Sequence, residues 1–169
     1  MTTEDEVDLL IAHWTIALPA VDLSPLDVMS RMRRLVASID VLRTEALAAA
    51  GVEPWAFDIL SRLRVAPDRA LTPSALGRMT GAPSATVANR LDRLERAGHV
   101  TRRLNRADTR SRLAELTPQG ADAAERAMTE LVHAESRVLV DLSRTQSDTL
   151  IELLRAMGPA IAGVLRADG

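Results

Sequence analysis

Between Thr72 and Arg112 the chain carries nine arginines, at 78, 90, 93, 96, 102, 103, 106, 110 and 112, against Asp92, Glu95 and Asp108. The rest of the chain holds twelve arginines and twenty acids, so the overall charge of −2 conceals a basic module of net +6 in a frame of net −8. No lysine occurs anywhere. A guanidinium is a planar fork of donors that matches phosphate oxygens and the guanine edge better than a point charge does. A solvated face is the ordinary reading of a charge run. Here the cluster coincides with two helices and a hairpin, which points to attraction for DNA phosphates.

Other chemistry has less behind it. With no cysteine, disulfides, thiolate metal sites and thiol redox sensing are excluded. His13, His99 and His133 lack the paired spacing of metal ligands, and no cofactor is implied. Ser84 and Ser111 have no evident His/Asp support, so a small hydrolytic enzyme remains only a remote alternative. The composition, 47% hydrophobic and 26% charged over 169 residues, is that of a globular chain. Its start is acidic rather than basic, and the charge-free stretch Leu9–Val21 is too short for a bilayer. A cytoplasmic protein without membrane association is the expectation.

Helical periodicity dominates the elements that must position the arginines. Val7, Leu10, Ile11, Trp14 and Leu18 form one stripe ending near Pro19. Ser24-Pro25-Leu26-Asp27 reads as a helix start with Ser as N-cap; that helix ends near Gly51, and another runs from about Pro54 to Val65. Thr72-Pro73 opens a short helix that stops at Gly81. Ser84 opens a longer one, closed by Gly98, with Val87, Leu91 and Leu94 inward. Two helices split by a tight glycine turn are a helix-turn-helix pattern. Val100–Leu104 and Arg112–Leu116 read as strands around a polar turn, a hairpin that forms a wing. Thr117-Pro118 starts a helix whose face includes Leu131, Glu135, Val138 and Leu142. Thr145-Gln146-Ser147-Asp148 reads as a capping box for a last helix carrying Leu150, Leu153, Leu154, Met157, Ile161 and Val164. The fold class is mainly α with a small β-hairpin wing. The terminal apolar stripes exceed what a small winged domain covers, so they bury against each other and a second copy of the chain.

Projecting the helix from Ser84 to Ala97 separates its roles. With Val87, Leu91 and Leu94 inward, Arg93 and Arg96 point outward or to the flanks, and Ser84, Thr86 and Asn89 occupy the first turns. Asn suits adenine, Arg suits guanine, and Ser and Thr serve bases or phosphates. Arg90 lies about 60° from the centre of the apolar face, which fits either an edge arginine paired with a carboxylate or a functional one. In the first wing strand Arg102 shares a face with Val100 and Leu104, whereas Arg103 points outward to phosphate. At the tip, Asp108 stands two residues before Arg110, placed to brace it for a narrow minor groove.

The segment Leu71–Gly120 resembles the MarR family of winged helix-turn-helix transcriptional regulators. The resemblance rests on Asp108-x-Arg110-x5-Leu116-Thr117-x-x-Gly120 and on Asn89-Arg90-Leu91-Asp92-Arg93-Leu94-Glu95-Arg96-Ala97-Gly98. It implies a homodimer with intertwined terminal helices on a pseudo-palindromic operator in double-stranded DNA, a repressor released by a small aromatic anion. Ser84, Thr86, Asn89, Arg93, Arg96, Arg103, Arg106 and Arg110 become the DNA contacts. A narrower similarity is to the urate-responsive branch, through the extra N-terminal helix with Trp14 followed by Leu23-Ser24-Pro25. That similarity assigns Trp14, Asp58, Arg90 and Arg102 to a pocket for urate or a phenolic acid. The inward tilt of Arg90 and Arg102 agrees with it. Asp58, opposite its helix's apolar face and spaced to pair with Arg62, agrees less well, and Trp14 serves packing equally well.

The expected organisation is N-terminal dimerisation helices over 1–50, the winged helix-turn-helix over 51–117, and C-terminal dimerisation helices over 118–169. The main rival is a constitutive DNA-binding regulator without an effector, in which Trp14, Asp58 and Arg90 are structural.

Overall fold

The computed structural model describes residues 4–105 and 111–167. In chain order they form α1 (Glu6–Ala17), α2 (Ser24–Ala49), α3 (Pro54–Val65), a 3-10 turn (Pro67–Arg69), β1 (Ala70–Leu71), α4 (Pro73–Thr80), α5 (Ser84–Arg96), β2 (Val100–Leu104), β3 (Arg112–Leu116), α6 (Pro118–Val138) and α7 (Arg144–Ala167). The fold is mainly helical, with one small antiparallel sheet in the order β1-β3-β2.

Helix α3 is the centre of the core. Ile59, Leu60 and Leu63 are fully buried, together with Leu76 of α4, Val87, Leu91 and Leu94 of α5, and Ala121, Ala124, Ala127 and Leu131 of α6. The alanines of α6 bring its backbone close to α2 and α3, the two helices it packs against most. Gly81 ends α4 at φ +65, a left-handed conformation that favours glycine, so the chain turns sharply into α5. The predicted hairpin is present with Val100 opposite Leu116 and Arg102 opposite Ala114. Strand β1, missed from the sequence, extends it by pairing Leu71 with Ala114.

The sheet is fastened to α6 by Thr117 and Gly120. The Thr117 hydroxyl donates to the Gly98 carbonyl at 2.7 Å and accepts the Gly120 N–H at 2.9 Å. A Cβ on Gly120 would sit 2.0 Å from the His99 carbonyl oxygen. No side chain fits there, which gives the glycine of the Leu116-Thr117-x-x-Gly120 motif a steric reason.

Two predicted helix starts need correction. At α2 the hydroxyl of Ser24 does not cap. Asp22 instead accepts from the Ser24 N–H at 2.9 Å and from its hydroxyl at 3.0 Å. At α7 the capping box is two residues earlier than expected. Gln146 Oε1 accepts the Ser143 N–H at 2.8 Å, the Gln146 N–H donates to Ser143 Oγ at 3.3 Å, and Asp148 pairs with Arg144. The α6 helix also stops at Val138, leaving Leu142 in the following turn.

Helix α1 is held by the buried Val7, by a charge knot around Arg31 and by a separate ion pair from Arg34 of α2 to Glu6 at 2.5 Å. Val7 is 2% exposed, whereas Leu10, Trp14 and Leu18 of the same expected stripe are exposed. Arg31 of α2 reaches Asp5 at 2.9 Å, Asp8 at 2.7 Å and Asp27 at 2.8 Å. Asp5 also caps α1 by accepting the Val7 and Asp8 N–H groups. Burial pulls the Asp5 carboxyl up, but those N–H groups and the Arg31 guanidinium outweigh it and hold its pKa below the ordinary 3.8. A depressed carboxyl pKa stabilises the folded form above the ordinary value and stops doing so as pH falls through the lowered one. The knot is therefore intact at neutral pH and fails only in acid. Arg31→Ala should raise amide exchange across residues 6–17 at pH 7 and leave α3 to α5 protected; unchanged exchange in α1 would mean that Val7 and the Arg34–Glu6 pair hold it without the knot.

Candidate nucleic-acid interface

The candidate interface is built on α5 (Ser84–Arg96). Val87 and Leu91 are 1% exposed and Leu94 3%, so rotation of the helix about its axis is fixed. Ser84, Asn89, Arg93 and Arg96 are consequently exposed, and Thr86 half-buried, as the 100° projection requires. Among the described residues, Arg96 donates to the Asp92 carbonyl at 3.3 Å. Arg78 at the end of α4, Arg96, and Arg112 on β3 are exposed and have no carboxylate partner among the described residues. Arg78 and Arg112 were not singled out from the sequence, although both stood in the arginine count.

Other arginines are already engaged. Arg103 lies on the outer face of β2 as expected, yet its Nε is 2.7 Å from Glu115 of β3. The contact is an ion pair rather than an aligned hydrogen bond, since that buried nitrogen has no hydrogen-bond partner among the described residues. Arg93 is bound to Glu53 at 2.9 Å and its guanidinium lies 4.4 Å from the centre of the Trp55 ring. Arg106, Asp108 and Arg110, the wing-tip residues, lie outside the described residues.

The four residues assigned to an effector pocket each have their own surroundings. Arg102 shares the inner face of the sheet with Val100, and its guanidinium meets Asp92, and Glu95 at 3.4 Å, tying the wing to α5. Arg90 is half-buried over the Trp55 ring at 5.8 Å. Among the described residues its neighbour is thus an aromatic ring and not a carboxylate. Asp58 pairs with Arg62 at 3.3 Å on the surface, and Arg62 also donates to the Met79 carbonyl at 3.0 Å. Trp14 is 47% exposed on α1. Among the described residues no cluster of His, Asp and Glu could hold a metal ion, and no helix is long and apolar enough to cross a membrane.

A helix-turn-helix whose second helix shows a polar, arginine-bearing face, followed by a two-stranded wing, defines a winged helix-turn-helix of the DNA-binding kind. Comparison with known proteins agrees. The model of the MarR family matches residues 50–111. The transcriptional regulator PecS of Dickeya dadantii (strain 3937) is 31% identical over 132 residues, spanning 77% of this chain and 79% of its own. A point mutant of Escherichia coli MarR, solved with operator DNA, superposes at a TM-score of 0.67 with 26% identity, covering 82% of this chain and all of that one. Sco3205 of Streptomyces coelicolor, solved with DNA, shares the fold at a TM-score of 0.70 and 21% identity, covering 83% and 89% of the two chains. The chain belongs to the MarR family of DNA-binding transcriptional regulators, and the matched proteins are regulators rather than enzymes.

The Arg103–Glu115 pair carries a prediction. Arg103 and Glu115 are each about a third exposed, and ion pairs near the surface contribute only about 0–1 kcal/mol, so a phosphate reaching the outer nitrogens of Arg103 can compete with Glu115. Glu115→Gln should therefore tighten binding to unrelated duplexes as much as to a preferred one. A gain confined to one sequence would contradict a phosphate role for Arg103.

Proposed function

We propose that two copies of this chain bind a pseudo-palindromic operator and repress transcription until a small aromatic anion releases them. The reading is carried by the polar face of α5, held outward by the buried Val87, Leu91 and Leu94. In a major groove, Ser84, Thr86, Asn89 and Arg93 meet base edges, while Arg96 and Arg103 meet phosphates. Arg106 and Arg110, braced by Asp108, enter the flanking minor groove. Residues 51–117 form the DNA module, and residues 1–50 and 118–169 the scaffold of a homodimer in the cytoplasm. Support for the second copy comes from apolar side chains left bare in one chain. None of the described residues of α7 is buried, and Leu35, Leu150, Leu153, Leu154 and Val164 are exposed. So much uncovered apolar surface marks an association face.

For the effector, urate or a phenolic acid would pair with Arg90 and Arg102, be repelled by Asp58 and stack on Trp14. To take Arg102 it must displace Asp92 and Glu95, and this loosens the wing from the recognition helix. Release requires tighter binding to the DNA-incompetent state, and each tenfold preference is about 1.4 kcal/mol. A constitutive regulator is the second reading. It is favoured by the fact that Arg102 and Asp58 already have charged partners within the chain.

The DNA assignment is tested with the tightest duplex selected from a randomised library. Asn89→Ala should relax preference at one base pair, worth about 1–3 kcal/mol, and spare the others. Uniform weakening on all sequences would remove Asn89 from base reading. Calorimetry with urate, xanthine and salicylate should show heat for the wild type and none for Arg102→Ala. Equal heats would exclude Arg102 from the pocket, and no heat with either protein would favour the constitutive reading.

A further inference from the structure

Glu53 and Trp55, at the start of α3, stand forty and thirty-eight residues before Arg93, yet the three side chains close a triangle. Glu53 Oε1 accepts from Arg93 Nη2 at 2.9 Å. Its other oxygen, Oε2, accepts the Trp55 indole N–H. The Arg93 guanidinium lies over the Trp55 ring, 4.4 Å from its centroid, within cation–π range. Each member therefore touches the other two, and one carboxylate divides its two oxygens between an arginine and an indole.

An exposed arginine on a helix samples many rotamers, and fixing it before binding removes that cost from the binding step. Arg93 remains about half exposed, with 48% of its side chain accessible. Only one of its five N–H groups is taken by Glu53, which leaves enough for a two-point contact with a guanine edge. Trp55 also joins Thr86, Asn89, Arg90 and Arg93 around an open hollow of about 280 Å³ on the flank of α5. The clamp thus lies on the face assigned to base reading.

We infer that Glu53 and Trp55 are positioning residues that hold Arg93 ready to read one base pair. The inference rests on α5 being the base-reading helix. It adds that sequence selectivity depends on two side chains of α3. A carboxylate so near the duplex is tolerated because Arg93 neutralises it.

Two measurements test this. In a Trp14→Phe background, Trp55 is the sole tryptophan. Without any DNA, Glu53→Ala and Arg93→Ala should each red-shift its emission. Unchanged emission in both would overturn the clamp, whatever the protein binds. With the library-selected duplex and its single-base-pair variants, Glu53→Ala and Trp55→Ala should lose roughly 5- to 100-fold discrimination at one position. That position should be the one lost in Arg93→Ala. Affinity for an unrelated duplex should stay within about twofold in Trp55→Ala and rise in Glu53→Ala, which loses a negative charge beside the duplex, and Trp55→Phe, which keeps a ring face, should recover part of the discrimination. A loss equal on every duplex would assign the triangle a structural role, and improved discrimination in Glu53→Ala would mean that Glu53 withholds Arg93. Either result overturns the inference while leaving DNA binding by α5 intact. A wild-type protein that prefers no sequence would instead defeat the base-reading assignment and the inference with it.

Discussion

The burial of Val87, Leu91 and Leu94 against α3 is the constraint on which the interface depends. Truncating a buried leucine costs about 2–5 kcal/mol. Turning both Leu91 and Leu94 to solvent would forfeit an energy comparable to the whole stability of a domain, about 5–15 kcal/mol. Helix α5 therefore has one permitted rotation. Everything opposite those three side chains is presented outward whether or not it is stable there, and that is how polar residues come to line an exposed ridge. The left-handed turn at Gly81 and the side-chain-free contact of Gly120 with His99 fix the surroundings of the ridge.

Charge on that ridge is more rationed than the sequence suggests. A formal count makes the middle of the chain strongly basic, but a count cannot see pairs that form across elements. Arg93 meets Glu53, Arg102 meets Asp92 and Glu95, and Arg103 meets Glu115. Two of those carboxylates, Asp92 and Glu95, stand within the basic segment itself. The pairs are exposed enough to exchange for phosphates at small cost. They also hold the side chains in defined places, so under the proposed reading the same contacts neutralise the arginines and preorganise them for DNA.

The helices, the tight turn and the wing strands were legible because periodicity and turn chemistry extend over many residues. Strand β1 was not, since two residues, Ala70 and Leu71, have no period to detect. The start of α7 lies two residues before the expected one. Ser143-x-x-Gln146 and Thr145-x-x-Asp148 both fit a capping box, and only geometry selects the first. The outward placement of Asn89, Arg93 and Arg96 followed from helix geometry alone, and so did the Asp58–Arg62 pair. The partners of Arg93 and Arg103 did not, because Glu53 and Glu115 reach them through tertiary folding and cross-strand placement. Trp55 was equally silent, since nothing local shows that its ring lies under two arginines.

The most direct test of the docking surface is the salt dependence of binding. Affinity for a single 20-base-pair duplex would be measured between about 50 and 200 mM salt, where counterion release dominates. The account predicts a steep linear fall of log affinity with log salt, made shallower by about 0.9 when Arg96 on the exposed face of α5 is replaced by alanine. Affinity insensitive to salt, or a slope that Arg96→Ala leaves untouched, would contradict it.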